Sequence, residues 1–514
     1  MYVLQKNELK SGVILSYINL GLGTVIPFIY TPVMLRMLGQ AEYGLFSLAS
    51  SAVSYLSLLS FGFGSTIVRY ISKYRAEGDK RSEQVVLGFF LILYCALAVL
   101  VLGCGTIISN NIEPIFRKGL SNYELNRMKY LVMIMTFNSA LSFPNSVFSS
   151  MITAHEKYIF RRIVDMFSTV LAPLANLIAL YLGYASIGMA VAATVIQVMM
   201  LPINMYYCLK KINIRPVISK IPRSLIKEML GFSIFIFIGS IVDMLFWATD
   251  KVILGMLSGS VAVAIYNVGG TFNSMVMNLS TSISGVLTPR VTGMVIKNTS
   301  KKELTKLFIR IGRLQFIVIA LIVSGFTVFG TAFIKLWAGN DYRDAYWVAV
   351  LTMFPLCVPL IQNIGLTIVI AQNKHQFRSI VYLIIAIFNV ITTYLVVPYW
   401  GVLGAAACSC IAYILGQGIV MNIYYYKVTG LDIPLFWRNI LKMAVIPFVM
   451  VVVGLGINTI YKVNNWHMFF FETIVFSVIY GILMYKHVLN DYEKALFKEI
   501  LEMLSGKCRN IERY

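Results

Sequence analysis

Apolar runs long enough to cross a lipid bilayer recur every 25 to 40 residues along this chain, and the polar segments between them alternate in basic content. A hydrocarbon core of about 30 Å is crossed by a helix of roughly 20 apolar residues. The runs fall near 12–35, 43–68, 85–109, 128–152, 163–182, 186–209, 230–256, 261–287, 313–334, 347–371, 380–397, 402–426, 440–460 and 466–486, which predicts about 14 spans. With the N-terminus inside, the inner segments hold 34 of the 43 basic residues, the outer segments hold 8, and Lys251 lies within a span. Basic loops resist translocation, so the imbalance predicts both termini in the cytoplasm. The first run is too long for a cleavable signal and reads as an uncleaved signal anchor.

Composition agrees with a membrane solvent. Hydrophobic residues make up 58% of the chain and charged residues 13%, against about 25% charged in soluble domains. A net charge of +21 would suggest nucleic acid in a soluble protein, but here the inner loops account for it and face anionic lipid heads. Nucleic acid is therefore not an expected partner; membrane lipid is. Cys95, Cys104, Cys208, Cys357, Cys408 and Cys410 fall in spans and Cys508 in the tail, without metal-ligand spacing to the histidines His155, His375, His467 and His487. No GxxxxGK[ST] phosphate loop occurs, so transport would draw on an ion gradient, substrate flux or membrane potential.

The chain also repeats itself. MLGQAEYGLFSLASS (37–51) aligns with MLSGSVAVAIYNVGG (256–270) after one gap, placing Gly39 opposite Gly259 and Phe46 opposite Tyr266 at an offset of 220. AHEKYIFR (154–161) matches AQNKHQFR (371–378) at 217, and GMAVAA (188–193) shares a small-residue texture with GAAACS (404–409) at 216. Six spans is an even number, so two such units enter the membrane in one orientation as parallel repeats around a central cavity. The expected organisation is an N-terminal six-helix bundle at 1–209, a basic linker at 210–227, a second bundle at 228–426, two further helices within 427–486 and a cytoplasmic tail at 487–514.

Few residues in the spans can carry chemistry. Asp243 and Asp250 lie seven apart in span 7, about 20° short of two helical turns, which predicts a shared face. Such carboxylates line a wet cavity, pair with a base or exchange a cation. Lys251 points elsewhere on a regular helix and also reads as a residue snorkelling to an interface. Glu472, close to the end of span 14, reads as structural. Arg69 and Arg290 close spans 2 and 8 at an offset of 221. Arginine's planar fork suits phosphate, although the positive-inside rule alone also places basic residues there. Arg36, just after span 1 on the outer side, could meet a headgroup or a departing substrate. Pro27 and Pro32 make span 1 a candidate bending element. Among the in-span amides, including Asn273, Gln315, Asn363 and Asn389, interhelical bonds and cavity contacts are not separable.

LSYINLGLGTVIPFIYTPVMLRMLGQAEYGLFSLASS at the start, ATDKVILGML in span 7 and the two A-x-x-K-x-x-F-R turns resemble the bacterial polysaccharide-export flippases of the multidrug/oligosaccharidyl-lipid/polysaccharide (MOP) exporter superfamily. The resemblance covers nearly the whole chain. It implies an all-α membrane protein of two parallel-repeat six-helix bundles in a V-shaped, MATE-like arrangement, plus two C-terminal helices. It implies alternating access that carries undecaprenyl-pyrophosphate-linked oligosaccharide to the outer leaflet of the cytoplasmic membrane, for O-antigen, capsule or exopolysaccharide. It further implies Na+ or H+ coupling and no other cofactor, with polysaccharide polymerase and chain-length machinery as partners. In that reading Arg69, Arg290, Arg36 and Lys251 bind pyrophosphate or sugar, and Asp243 and Asp250 line the cavity or couple the cation. A lipid II-type flippase, a drug/cation antiporter, or a membrane polymerase or ligase are the alternatives.

Overall fold

The computed structural model describes residues 2–219, 222–297, 299–372, 374–461 and 463–504. Cys508 and the end of the expected tail lie outside them, as do Lys220 and Ile221 of the expected linker. The described residues are almost wholly helical, without a β-strand. That is the structure lipid demands, because a helix satisfies its backbone groups within the segment. Polar residues mark several starts: Asp79 accepts from Ser82 N at 2.9 Å, Asp432 accepts from Leu435 N at 2.9 Å, and Ser121 and Glu124 form a capping box.

Among the described residues, 11 helices are long and apolar enough to cross a membrane. The count reaches 12 if Ala345–Ile361 and Asn363–Ala371, bent by 47°, form one span. The fourteen runs thus do not appear as fourteen separate spanning helices. Runs 380–397 and 402–426 fall in one long apolar stretch, Gln376–Thr429, in which two helices meet at a kink at Gly401 (φ 53°, ψ −133°). Run 261–287 does form a helix, Ser260–Ile296, but Asn267, Asn273, Asn278 and its serines and threonines dilute its apolar character.

Contacts divide the chain into two compact units. The first comprises Met1–Val268 and Tyr382–Ser409, the second Gly269–Val381 and Cys410–Tyr514. In the first, Lys80–Asn110 packs on Asn122–Ala154, which also packs on Ala185–Tyr206, and Tyr2–Leu38 packs on Tyr158–Tyr181. Gln40–Ser54 comes close enough to the start of Ser260–Ile296 that a Cβ on Gly44 would stand 1.8 Å from Ser260 O and 3.2 Å from Ala264 N. Asn267 Nδ2 then reaches Tyr43 Oη at 2.6 Å and Ser47 Oγ at 3.1 Å. Ser47 and Asn267 are 220 residues apart, the repeat offset, so positions equated by the alignment touch one another.

In the second unit, Lys301–Trp337 packs on Ala345–Ile361, Ile433–Ile460 and Trp466–His487. Val328, Phe329, Met443, Met450, Phe476, Tyr480 and Met484 form its core there. Arg313 holds Glu493 of the helix Asp491–Leu504 through Nε–Oε1 at 2.6 Å and Nη2–Oε2 at 2.7 Å. A buried, bidentate pair of this kind fixes the terminal helix in place.

Candidate functional site

The single span expected at 230–256 is present as Arg223–Leu257, with a local interruption at Ala248. Arg223–Trp247 ends and Thr249–Leu257 begins around Ala248 (φ −109°, ψ −33°). Asp243 and Asp250 do not share a face: Asp243 is exposed, whereas Asp250 is 0% exposed. The expectation of a common Asp243/Asp250 face is not met, because the two carboxylates meet opposite surroundings, one exposed and one enclosed.

Asp250 is surrounded by donors. Tyr266 Oη and Ser409 Oγ donate to Oδ2 at 2.5 and 2.6 Å, and Asn389 Nδ2 and Thr393 Oγ1 donate to Oδ1 at 3.4 and 3.5 Å. Asn389 Nδ2 also reaches Ser409 Oγ at 3.3 Å. Beside the carboxylate, Thr249 Oγ1 meets Tyr55 Oη at 2.5 Å. An ion buried in an apolar interior is tolerated when charge-assisted hydrogen bonds replace its water. Four donors on two oxygens supply that replacement. Asn389 Oδ1 is buried and without a hydrogen-bond partner among the described residues. Together these oxygens form an all-oxygen donor set, the kind a hard cation prefers. Among the described residues no group of three His, Cys, Asp or Glu could hold a metal ion.

Asp243 and Lys251 come together instead. They line a cavity of about 430 Å³ with Ser50, Ser51, Ser54, Ser240, Met244, Trp247 and Ala248. Ser51 Oγ donates to Ser47 O at 2.9 Å, while Ser54 Oγ sits 2.7 Å from Ser51 O and 3.1 Å from Met244 Sδ. Those hydroxyls keep acceptor lone pairs toward the cavity. One acid, one base, several hydroxyls and an indole make a surface that can hydrogen-bond and stack a polar solute. Lys251, expected to point elsewhere than its neighbour Asp250, lines the same wall as Asp243, eight residues before it on the span.

The three arginines are separate. Arg69 lies on Phe63–Glu77, exposed, with its guanidinium carbon 4.5 Å from the centroid of Phe232. Arg36 is exposed in the last turn of Tyr2–Leu38. Arg290 is exposed near the end of Ser260–Ile296 and belongs to the second unit. Tyr266, Thr393 and Ser409 were not among the sequence candidates, and Asn389 was only one amide among many. The i, i+4 spacing of Asn389 and Thr393, which puts both on one helix face, was the available signal.

These features define a class: an all-helical, multi-pass membrane protein with a polar cavity and a buried carboxylate cluster. Its fold is that of the MOP superfamily. A structure of the lipid II flippase MurJ in an inward closed conformation aligns with a TM-score of 0.72 at 15% identity, covering 92% of this chain and 98% of that one. An inward-facing multidrug resistance MATE family transporter of the MOP superfamily aligns at 0.64 and 16% identity, covering 78% and 96%. Residues 9–295 match the family described as polysaccharide biosynthesis protein, and the chain belongs to that family. A Shigella flexneri protein named "Putative O-antigen transporter" is 21% identical, over 76% of this chain and 91% of its own length. The membrane protein EpsK of Bacillus subtilis (strain 168) is also 21% identical, over 91% and 92%.

Proposed function

We propose that this protein is a flippase, not an enzyme, moving undecaprenyl-pyrophosphate-linked oligosaccharide from the inner to the outer leaflet of the cytoplasmic membrane. The product feeds O-antigen, capsule or exopolysaccharide assembly and passes to polymerase and chain-length machinery. The observation that carries this reading is the family match over 9–295 in a chain whose first unit holds a hydrophilic cavity among membrane-crossing helices. The charge pattern supports both termini facing the cytoplasm. A MurJ-like fold keeps a lipid II-type substrate as the second reading.

In this scheme Arg69 and Arg290 take the pyrophosphate at the cytoplasmic side, Arg36 meets headgroups on the other, and sugar hydroxyls meet Asp243, Lys251 and the serines. Asp250 exchanges H+ or Na+, whose charge changes the balance of a cluster otherwise saturated by donors. For Na+, Asn389 Oδ1, Thr393 Oγ1 and Ser409 Oγ stand beside the carboxylate as the oxygens able to hold it. Alternating access then needs no nucleotide.

Deleting the gene is expected to arrest polymer export and accumulate one lipid-linked glycan on the cytoplasmic side, whose chemistry names the substrate. The R69Q/R290Q double variant is expected to restore less than about a tenth of export at normal membrane abundance, since losing hydrogen bonds between charged groups costs at least tenfold in affinity. Full export by that variant removes the phosphate assignment; a deletion that accumulates only lipid II selects the second reading.

A further inference from the structure

A second cavity, in the second unit, has no part in the scheme above. It measures about 310 Å³, and Lys335, Arg343, Asn340, Asn458 and Asn464 line it with no carboxylate among its lining residues. Asp341 and Asp344 stand on the same turn but do not line it. Neither Lys335 nor Arg343 forms an ion pair with a described carboxylate. Two cations and the amides of Asn340 and Asn464 face one hollow as donors suited to an anion, while Asn458 Nδ2 already donates to Val328 O at 2.6 Å.

The place is unusual for cations. Lys335 and Arg343 belong to the 8 basic residues that the charge pattern puts on the outer side, where orientation does not call for them. A lysine in the last turn of Lys301–Trp337 complements the helix dipole, which explains Lys335 alone. It does not explain Arg343 or the asparagines. The ends of Lys301–Trp337 and Ile433–Ile460 and the start of Trp466–His487 converge here. Phe333 also packs on Trp337 at 5.9 Å, on Trp466 at 6.2 Å and on Phe469 at 5.5 Å. Tryptophans clustered at span ends mark the depth of lipid headgroups.

The geometry points to a phosphate-binding site in this cavity, on the outer face, for a lipid headgroup arriving from the bilayer. Its outer placement rests on the topology proposed above. Arg343 offers a planar fork and Lys335 a point charge to phosphate oxygens, while the amides of Asn340 and Asn464 donate to the remaining ones. The phosphate can belong to the carrier lipid after crossing, to a bulk phospholipid, or to free phosphate.

The test uses the full-length protein in phosphatidylcholine nanodiscs, with undecaprenyl pyrophosphate and phosphatidylglycerol counted by native mass spectrometry and inorganic phosphate measured by equilibrium dialysis. The K335Q/R343Q variant is expected to weaken retention of at least one probe about tenfold, the scale of lost hydrogen bonds to charge. K335R/R343K is expected to retain binding, and K118Q, at another outer-loop lysine, to leave it unchanged. Weakening for the pyrophosphate alone names the carrier, weakening for both lipids names any lipid phosphate, and weakening for all three names phosphate itself. Equal retention of all probes by wild type and K335Q/R343Q overturns the site, as does equal weakening by K118Q. The assay reads no transport, so its failure leaves the flippase reading standing, and lost export with intact binding strikes only that reading.

Discussion

Asp250 and Asp243 sit seven residues apart on one apolar segment and live in opposite surroundings. Asp250 is sealed among four donors from Tyr266, Asn389, Thr393 and Ser409. Asp243 opens onto a cavity shared with Lys251 and Trp247. The two side chains are chemically identical; the neighbours packed around each make the difference. A carboxylate that closes a hydrogen-bond network holds helices together, whereas one that faces a cavity can act on a solute without doing so. The contrast predicts that Asp250 governs stability and ion dependence, and Asp243 governs transport alone.

The largest effect should come from D250A. Removing the carboxylate leaves four donors inside an apolar interior, at a cost of about 3–5 kcal/mol for a broken buried charge network. Thermal unfolding of the purified protein in one detergent is the measurement. D250N, which keeps an acceptor oxygen, should lose less than half of that yet remove the dependence of export on an ion gradient. A D250A melting curve that overlays wild type would mean the network bears no weight, and the comparison would collapse.

A weaker blow to the same side is G44L. With a Cβ at 1.8 Å from Ser260 O, Gln40–Ser54 must move away from the start of Ser260–Ile296. Overpacking of this kind costs about 1–3 kcal/mol. The shift would pull Asn267 from Tyr43 and Ser47 and disturb the adjacent Tyr266, hence Asp250; Ser50, Ser51 and Ser54 would move with the same helix, while Ser240, Met244 and Trp247 of the Asp243 wall lie on another. Cross-linking of a cysteine pair at positions 43 and 267 should fall in that variant; unchanged cross-linking and melting would show that the close approach is not needed.

Much of this was legible without coordinates. Membrane class followed from hydropathy, because every residue of a span contributes to it. The repeat alignment equated Gly39 with Gly259 at an offset of 220, and Asn267 touches Ser47 at that offset. The break at Ala248 was not legible, since alanine favours helix and no proline or glycine adjoins it. Nor were Thr393 and Ser409 as partners of Asp250: 143 and 159 residues separate them, and a tertiary contact leaves no trace in one sequence. Gly401 was legible as a boundary, since its positive φ sets a kink between the two apolar runs.

The smallest expected effect on folding, and the sharpest discriminator, is D243N. Its side chain is exposed, so the substitution should cost less stability than D250N. Export should nonetheless fall several-fold, because the cavity loses its only carboxylate among the lining residues and keeps Lys251 uncompensated. K251Q on top of D243N restores charge balance, and a double variant exporting better than D243N would show that the two side chains act on the solute as a pair. The stability of D243N against D250N, measured side by side, decides the comparison. A D250N that melts clearly earlier than D243N, with export lost in both, confirms two roles on one segment; a D243N that unfolds as early as D250N would place Asp243 in the same structural network and leave the cavity without a carboxylate of its own.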